Sequence, residues 1–497
     1  MTATSGTNSA FLRVLRTVPR PLLGLLAAIL ALGIAFTLVT PFLQAPDENS
    51  HFGYIQYFGE TGQLPANKPL APPFTTEQTQ ASGASNSDQA AAQKAVPMSW
   101  STSAFDAWRA SERKLTDAQR ADAGGPNPAS GNPPLYYLLE TPAYLVGKGG
   151  DIFTRLELTR IMSVLWVLVT AAGAWLLAGE LFGRDRLMQL AVAGFTGLAP
   201  MVLFVSSSVS PDAMLYAAWA IALWLGTRLL RRGLSTGGVL ALFAVVGAAC
   251  VVKATSFALL PAAALALALA LWRARPEGLT PRRGAIAIGA AAVGMIFTLG
   301  IWIVVSRLNH QAAAGQVGVV SSGEFNLREF LSYVWQFYLP KLGFMNDFRS
   351  VAPTLPAWDI VFKGAWAAFG WLEVLFPTWV YLVLLFVSVV AVVGGVAGVW
   401  RDRARVDWAV FAFLALVVLT LMAGLHISEY RQIKGGASNF FQGRYVLPLA
   451  PLAACALART IAWAPQRLRG QLVGGALGAF IVLNLFSLGL ILQRFYA

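Results

Sequence analysis

Four short stretches of this 497-residue sequence carry side chains suited to chemistry. The first is PDENSH, Pro46 to His51. Asp47 and Glu48 are adjacent carboxylates, and Glu48 and His51 stand three apart, close enough to share a helix face. A carboxylate within hydrogen-bond reach of a sugar hydroxyl can act as a general base. A partly desolvated carboxylate beside another has a raised pKa, which suits that task. The same pair could hold a divalent cation, Mg or Mn, with Asp47 as the metal contact. The plain structural alternative is a helix cap at Asp47.

The second stretch is SSSVSPDAM, Ser206 to Met214. Asp212 follows Pro211 at the start of a helix, where an acidic residue also complements the helix dipole. The third is FQGRYVLP, Phe441 to Pro448, with Gln442, Arg444 and Tyr445 at the mouth of another helix. Arg444 can snorkel to the interface, or its planar donor fork can grip phosphate. The fourth is Lys253 in VVKATS, between two apolar helices. It opposes the charge bias of its side, which calls for an anionic partner such as a lipid head group or a lipid-linked phosphate. His426, Glu429, Arg431 and Lys434 lie just upstream of the third stretch.

The elements that must position these residues are membrane helices. Hydrophobic residues make up 56% of the chain and charged residues 12%, about half the share of a soluble domain. Apolar runs of about 20 residues recur. They predict helices at about 21–42, 156–182, 187–205, 212–230, 236–252, 256–272, 284–306, 374–400, 407–425, 444–463 and 471–492. That is an all-α polytopic protein with about 11 transmembrane helices, in the range 11–13. The first run is too long for a signal-peptide core and reads as a retained helix.

Alternation of these helices puts every short arginine cluster on one side: Arg13/Arg16/Arg20, Arg184/Arg186, Arg228/Arg231/Arg232, Arg273 to Arg283, Arg401 to Arg405 and Arg467/Arg469. The positive-inside rule makes that side cytoplasmic, with the N-terminus inside and the C-terminus outside. This placement also accounts for the net charge of +13 without nucleic acid. Most acidic residues fall outside, as an external reaction chamber would require. Residues 1–20 form a cytoplasmic tail, 21–463 the main module and 464–497 a final helix with its tail.

Two external loops are long, 43–155 and 307–371. In the first, Ser50 to Glu60 reads as a short interfacial helix and Asn132 to Val146 as a second interfacial or re-entrant element. Its middle, Lys68 to Pro97, is rich in Ala, Ser, Gln and Pro and reads as mobile. The second loop holds an amphipathic stretch, Trp358 to Trp371. No internal repeat is visible. The two cysteines, Cys250 and Cys455, lie in separate apolar runs, and no Gly-rich phosphate loop occurs.

Acids and bases thus collect at one membrane face that lacks ATP and nucleotide sugars. An enzyme there would use a substrate activated on a membrane lipid, such as a polyprenyl-phosphate sugar. Lys253 and Arg444 are the residues to stabilise its phosphate leaving group.

PDENSH, SVSPDAM and FQGRYVLP, in this order and at these topological places, resemble a bacterial branch known as domain of unknown function 2142. The large outer loop with an acidic pair after the first helix is similar to the GT-C superfamily of integral-membrane glycosyltransferases. The branch typically shows PPDE-x-x-H, Asn-Pro-Asp or Asn-Tyr-Asp, and QGRY-x-x-P. This sequence has Ala45 where the branch often has a second proline, and Ser210 where asparagine is common. The resemblance implies a GT-C-like fold with a lipid-facing cavity. It implies transfer of a sugar from a polyprenyl-phosphate donor to a cell-envelope glycan or lipid acceptor. Asp47 would be the base or metal contact, assisted by Glu48. His51, Asp212, Gln442 and Arg444 come over as motif positions. Two other readings stay open. A polysaccharide ligase or polymerase would lean on His426, Arg431 and Arg444. A transporter of lipid-linked glycans would place charges at the bilayer midplane.

Overall fold

The computed structural model describes residues 18–65, 70–94, 96–98, 101–308, 325–345, 355–436 and 441–497. Arg13 and Arg16 lie outside them. The described residues form helices joined by short turns, with one isolated antiparallel bridge between Phe369 and Val374.

Among the described residues, eight helices are long and apolar enough to cross a membrane: Arg20–Val39, Ile152–Leu181, Pro211–Arg232, Ala254–Ala274, Pro281–Arg307, Thr378–Arg401, Trp408–Lys434 and Gln466–Tyr496. A bent pair, Arg186–Gly197 and Pro200–Ser206, with a 60° break, is apolar enough to make a ninth if its two pieces are counted as one span. Pro200 stands at the first turn of the second piece, and Asn484 donates to the Leu198 carbonyl that the break leaves free, at 2.8 Å.

The expected eleven is not reached on length and composition. Thr236–Val252 has only 17 residues. Ala450–Ile461 has 12, entered through the 3-10 turn Gly443–Leu449. Pairing across the bundle still shows where these two segments run. Arg232 pairs with Glu180 at 3.0 Å, so Thr236 starts at the arginine-rich end. Lys253, just past Val252, bonds Asp212 at the opposite end of the Pro211–Arg232 helix. Likewise Arg444 lies at the Asp212 end, while Arg459 pairs with Asp402 at the arginine-rich end. Arg273 with Asp407 closes that same end.

The Ile152–Leu181 helix is the centre of the bundle. It packs against Arg20–Val39, Leu135–Val146, Arg186–Gly197 and Pro211–Arg232. Small residues let the last of these come close: a Cβ on Gly173 would stand 2.9 Å from that of Ala220. Leu382, Phe386, Val393 and Val396 on the Thr378–Arg401 helix are exposed, as lipid-facing side chains are.

The first long loop is built as expected at its flanks, with helices Glu48–Thr61 and Leu135–Val146. In the described part of its middle, which leaves out Lys68, the chain is folded where composition suggested mobility. Thr76–Ser85 and Ser87–Ala92 are helices. Polar contacts take the place of apolar burial there. Arg155 is buried and reaches Glu77 at 2.7 Å, Glu112 at 3.2 Å and the Tyr144 hydroxyl at 2.8 Å. Gln56 donates to the second Glu77 oxygen at 2.7 Å. A hydrophobicity pattern does not register order of this kind, because the groups holding the segment are charged. Arg494 ties the loop to the Gln466–Tyr496 helix through the carbonyls of Val96 and Ala90, at 3.0 and 3.2 Å.

Candidate active site at one end of the bundle

Arg444 is the hub. It sits in the 3-10 turn Gly443–Leu449 and is 3% exposed. One terminal nitrogen donates to the Pro46 carbonyl at 3.2 Å and the other to the Asp47 carboxylate. Its Nε faces Asp212 Oδ2 at 3.7 Å, an ion pair too long for a hydrogen bond. Asp212 gives its other oxygen to Lys253 Nζ at 2.6 Å. Lys253 also lies 4.8 Å from the centre of the Tyr445 ring, with the Arg444 guanidinium 5.4 Å from the same ring. Asp47, Asp212, Lys253, Arg444 and Tyr445 therefore form one cluster, drawn from four separate parts of the chain.

Local backbone rules put them there. Asp47 has φ 61° and ψ 10°, the left-handed region that aspartate and asparagine tolerate better than most. Its carbonyl accepts from the amides of Ser50 and His51 and so starts the Glu48–Thr61 helix. Its side chain makes no capping bond, which removes the plain helix-cap reading. The carboxylate is turned instead to Arg444 and remains 43% exposed. Asp212 stands in the first turn after Pro211, and Ser210 Oγ accepts its amide at 3.3 Å. Serine at 210 thus does the capping that asparagine can also do. Lys253 ends the Thr236–Val252 helix in extended conformation. Gly443 is required by contact: a Cβ there would fall 2.3 Å from the Gly364 carbonyl carbon.

Glu48 points away from this cluster. It is fully buried, and both its oxygens are held by Arg160, at 2.8 and 2.5 Å. One of them also accepts from the Val209 amide at 3.0 Å. Arg160 further donates to the carbonyls of Thr40 at 2.6 Å and Pro41 at 2.8 Å, where the first spanning helix ends. This buckle sets the turn that presents Asp47. Sequence reasoning missed Arg160. The available signal was an arginine inside an apolar run, opposite the basic end.

The expected rise in the Asp47 pKa is overturned. Burial pushes it upward, but the Arg444 guanidinium, with Lys253 adding, holds it below its ordinary value of 3.8. Glu48 does not oppose this, since Arg160 neutralises it. His51 is buried, and desolvation takes its pKa down to about 4, helped by Lys253 and Arg444 against the pull of Asp47. It is neutral at physiological pH. Its Nδ1 lies 2.9 Å from the Tyr137 hydroxyl.

Three buried polar atoms of the site have no hydrogen-bond partner among the described residues: Asp212 Oδ2, Arg444 Nε and Gln442 Oε1. Buried groups left so are costly, and a polar ligand is one way to satisfy them. A divalent cation does not fit. Asp47 and Asp212 each already face a fixed cation, and no three His, Cys, Asp or Glu side chains gather around a common point among the described residues.

His426 lies in a separate aromatic cluster. Tyr333 and Tyr338 take its two ring nitrogens at 3.0 and 2.8 Å, and Phe337 and Phe441 pack on the ring. Glu429 accepts the Phe441 amide at 2.7 Å, and Lys434 pairs with Glu329 at 2.7 Å. Through Phe441, His426, Phe337 and Glu429 back the segment that leads into the turn carrying Arg444.

Among solved structures, the fold is similar to ArnT from Cupriavidus metallidurans bound to undecaprenyl phosphate. The two are 15% identical, cover 92% of this chain and 63% of that one, and have a TM-score of 0.46. It is also similar to the apo oligosaccharyltransferase of Archaeoglobus fulgidus, at 12% identity, 96% and 56% coverage and a TM-score of 0.47. The archaeal oligosaccharyltransferase AglB from Archaeoglobus fulgidus, in complex with an inhibitory peptide and a dolichol-phosphate, gives the same values. The chain spans about three fifths of the length of these proteins. No curated protein matches the sequence. The family described as "Predicted membrane protein (DUF2142)" matches residues 30–453, and the chain, a multi-pass membrane protein, belongs to it.

Proposed function

We propose that this chain is an integral-membrane glycosyltransferase of the GT-C type. It would move a sugar from a polyprenyl-phosphate donor to a cell-envelope glycan or lipid acceptor. The observation that carries this reading is the meeting of Asp47, Asp212, Lys253 and Arg444 in one cluster at the end of an apolar bundle. A lipid-linked phosphate brings its charge to that level while its chain stays in hydrocarbon.

In this reading Lys253 and Arg444 stabilise the phosphate as the anomeric carbon–oxygen bond breaks and the electron pair leaves with it. Asp47, half exposed, accepts the proton of the acceptor hydroxyl as its oxygen bonds to the anomeric carbon. A carboxylate held at low pKa is a weak base, so proton transfer comes late. An oxocarbenium-like transition state tolerates that, because bond breaking leads. Asp212 holds Lys253 and completes the surroundings of Arg444. Gln442 and His51 contribute polar contacts, and Glu48 acts through its bond to Arg160 as a positioning residue.

The arginine-rich end is assigned to the cytoplasm by the positive-inside rule. In this reading the N-terminus lies inside and the site works on the external face of the inner membrane. The deciding experiment is sugar transfer from synthetic polyprenyl-phosphate sugars by the purified protein and its Asp47→Asn variant. Transfer by the wild type and its loss in a folded variant is the expected result. Equal transfer by both would remove Asp47 from the chemistry. No transfer from a broad donor panel, with acceptor-containing membranes supplied, would overturn the reading.

A further inference from the structure

His51, Tyr137 and Asn132 form a hydrogen-bonded chain. Asn132 Nδ2 donates to the Tyr137 hydroxyl oxygen at 3.1 Å. The Tyr137 proton is then free to go to His51 Nδ1, at 2.9 Å. Tyr137 is fully buried, stacked on Tyr54 at 3.8 Å between ring centres and set edge-on to Tyr136 at 5.4 Å, so its hydroxyl is fixed in place. A histidine whose Nδ1 accepts a hydrogen bond carries its proton on Nε2 when neutral.

We infer that Tyr137 and Asn132 set the His51 tautomer, so that His51 serves the site as an Nε2–H donor to an anionic oxygen of the substrate and not as a base. The ligand chemistry is a phosphate oxygen, and this part rests on the glycosyltransferase reading. His51 is one helical turn from Asp47, whose carbonyl accepts the His51 amide at 3.1 Å. It lies within electrostatic reach of Asp47, Asp212, Lys253 and Arg444. Its Nε2 has no hydrogen-bond partner among the described residues. The four ionised groups sum to no net charge, so a neutral donor adds anion affinity without adding a third cation. Tyr137 touches both His51 and Asn132, and Tyr137 and Asn132 are positioning residues. The low His51 pKa, about 4, keeps the ring neutral and agrees with the donor role.

The test reads the tautomer directly. The full-length protein carries three histidines. It would be labelled with 15N-histidine, and the His51 signals assigned by their loss in His51→Gln. The expected wild-type spectrum has Nε2 protonated and Nδ1 bare. Asn132→Asp replaces the donor by an acceptor, so the Tyr137 proton turns to residue 132 and the His51 proton moves to Nδ1. A protonated Nδ1 in the wild type, or a spectrum unchanged in Asn132→Asp, would overturn the inference. If Asn132→Asp fails to fold, Tyr137→Phe replaces it and is expected to shift the Nδ1 signal. Where transfer is measurable, His51→Phe should raise the donor KM by about tenfold to a hundredfold, as loss of a hydrogen bond to a charged group does. His51→Gln, which keeps an N–H, should raise it less. A loss confined to kcat, equal in both variants, would count against the donor role. The two readings fail separately. The tautomer can hold in a protein that transfers no sugar, and transfer can occur with the proton on Nδ1.

Discussion

Arg444 and Asp47 stand 397 positions apart in the chain and share a charge-assisted hydrogen bond. Arg444 spends its remaining nitrogens on the Pro46 carbonyl and toward Asp212, so no other side chain can replace its three directions. Arg444→Lys should lower transfer by more than about a hundredfold, since one ammonium cannot serve Asp47, Pro46 and Asp212 together. Initial rates on a lipid-linked donor, with folding checked by size exclusion in detergent, would measure this. A loss below tenfold would mean that charge alone suffices.

The pH dependence of turnover follows from Asp47. Its pKa is depressed, so the carboxylate is ionised through the whole physiological range. The acid limb of kcat should lie below pH ~4, the ordinary carboxylate value. A limb between pH 5 and 7 would assign the base to another group. Asp47→Asn is the informative variant, because asparagine accepts the left-handed backbone at this position. Asp47→Ala adds backbone strain of about 1–2 kcal/mol to the chemical loss.

The Glu48–Arg160 pair is a fold element, and its variants should report on stability. Glu48→Ala leaves Arg160 buried with only carbonyl partners and should cost about 3–5 kcal/mol. Glu48→Gln with Arg160→Met should recover part of that loss. Thermal unfolding in one detergent across the set would show it. Additive losses in the double variant would argue against direct coupling.

Two glycines in contact predict an ordered pair of effects. A Cβ on Gly443 meets the Gly364 backbone at 2.3 Å, whereas a Cβ on Gly364 meets Gly443 at 3.2 Å. Gly443→Ala must move the turn that carries Arg444, and should reduce both transfer and stability. Gly364→Ala should be the milder change, at under about 1.5 kcal/mol. The reverse order would contradict the close approach seen here.

Glu140 gives a pH-dependent stability with a definite sign. It is fully buried on the Leu135–Val146 helix, accepting from Trp166 at 2.8 Å while its other oxygen has no partner among the described residues. Burial raises its pKa to about 8. The folded state therefore binds this proton more tightly than the unfolded chain does. Its contribution to stability is full below pH ~4.5 and is lost as pH climbs toward 8. Glu140→Gln should flatten that fall and be the more stable form above pH 8, by about 1–3 kcal/mol. Melting temperatures of both forms from pH 5 to 9 would reveal the difference. Parallel curves would place the titration elsewhere.

Much of this organisation was legible in the sequence because it depends on one-dimensional signals. Apolar runs marked the spanning helices, and arginine clusters marked one end of the bundle. The three motifs named the parts of the chain that meet at Arg444. What stayed hidden depends on contacts that no spacing records. Arg160 lies in a run that reads as hydrophobic, and only the fold shows it gripping Glu48 and two carbonyls. Asp47 and Glu48 look like a coupled pair in the sequence, yet the left-handed turn sends their side chains to different cations. The helices near Glu77 were hidden because Arg155, at the far end of the loop, supplies the ordering charge.

The order of residues along the chain has a consequence for biogenesis. Glu48 finds Arg160 after 112 residues, and Asp212 finds Lys253 after 41. Asp47 must wait for Arg444, nearly 400 residues on. During synthesis the buckle and the Asp212–Lys253 pair can close early, while Asp47 remains without its guanidinium until the FQGRYVLP stretch has been made. A nascent chain can thus close its scaffold before Arg444 reaches Asp47, and the four-part cluster is complete only once insertion is nearly finished.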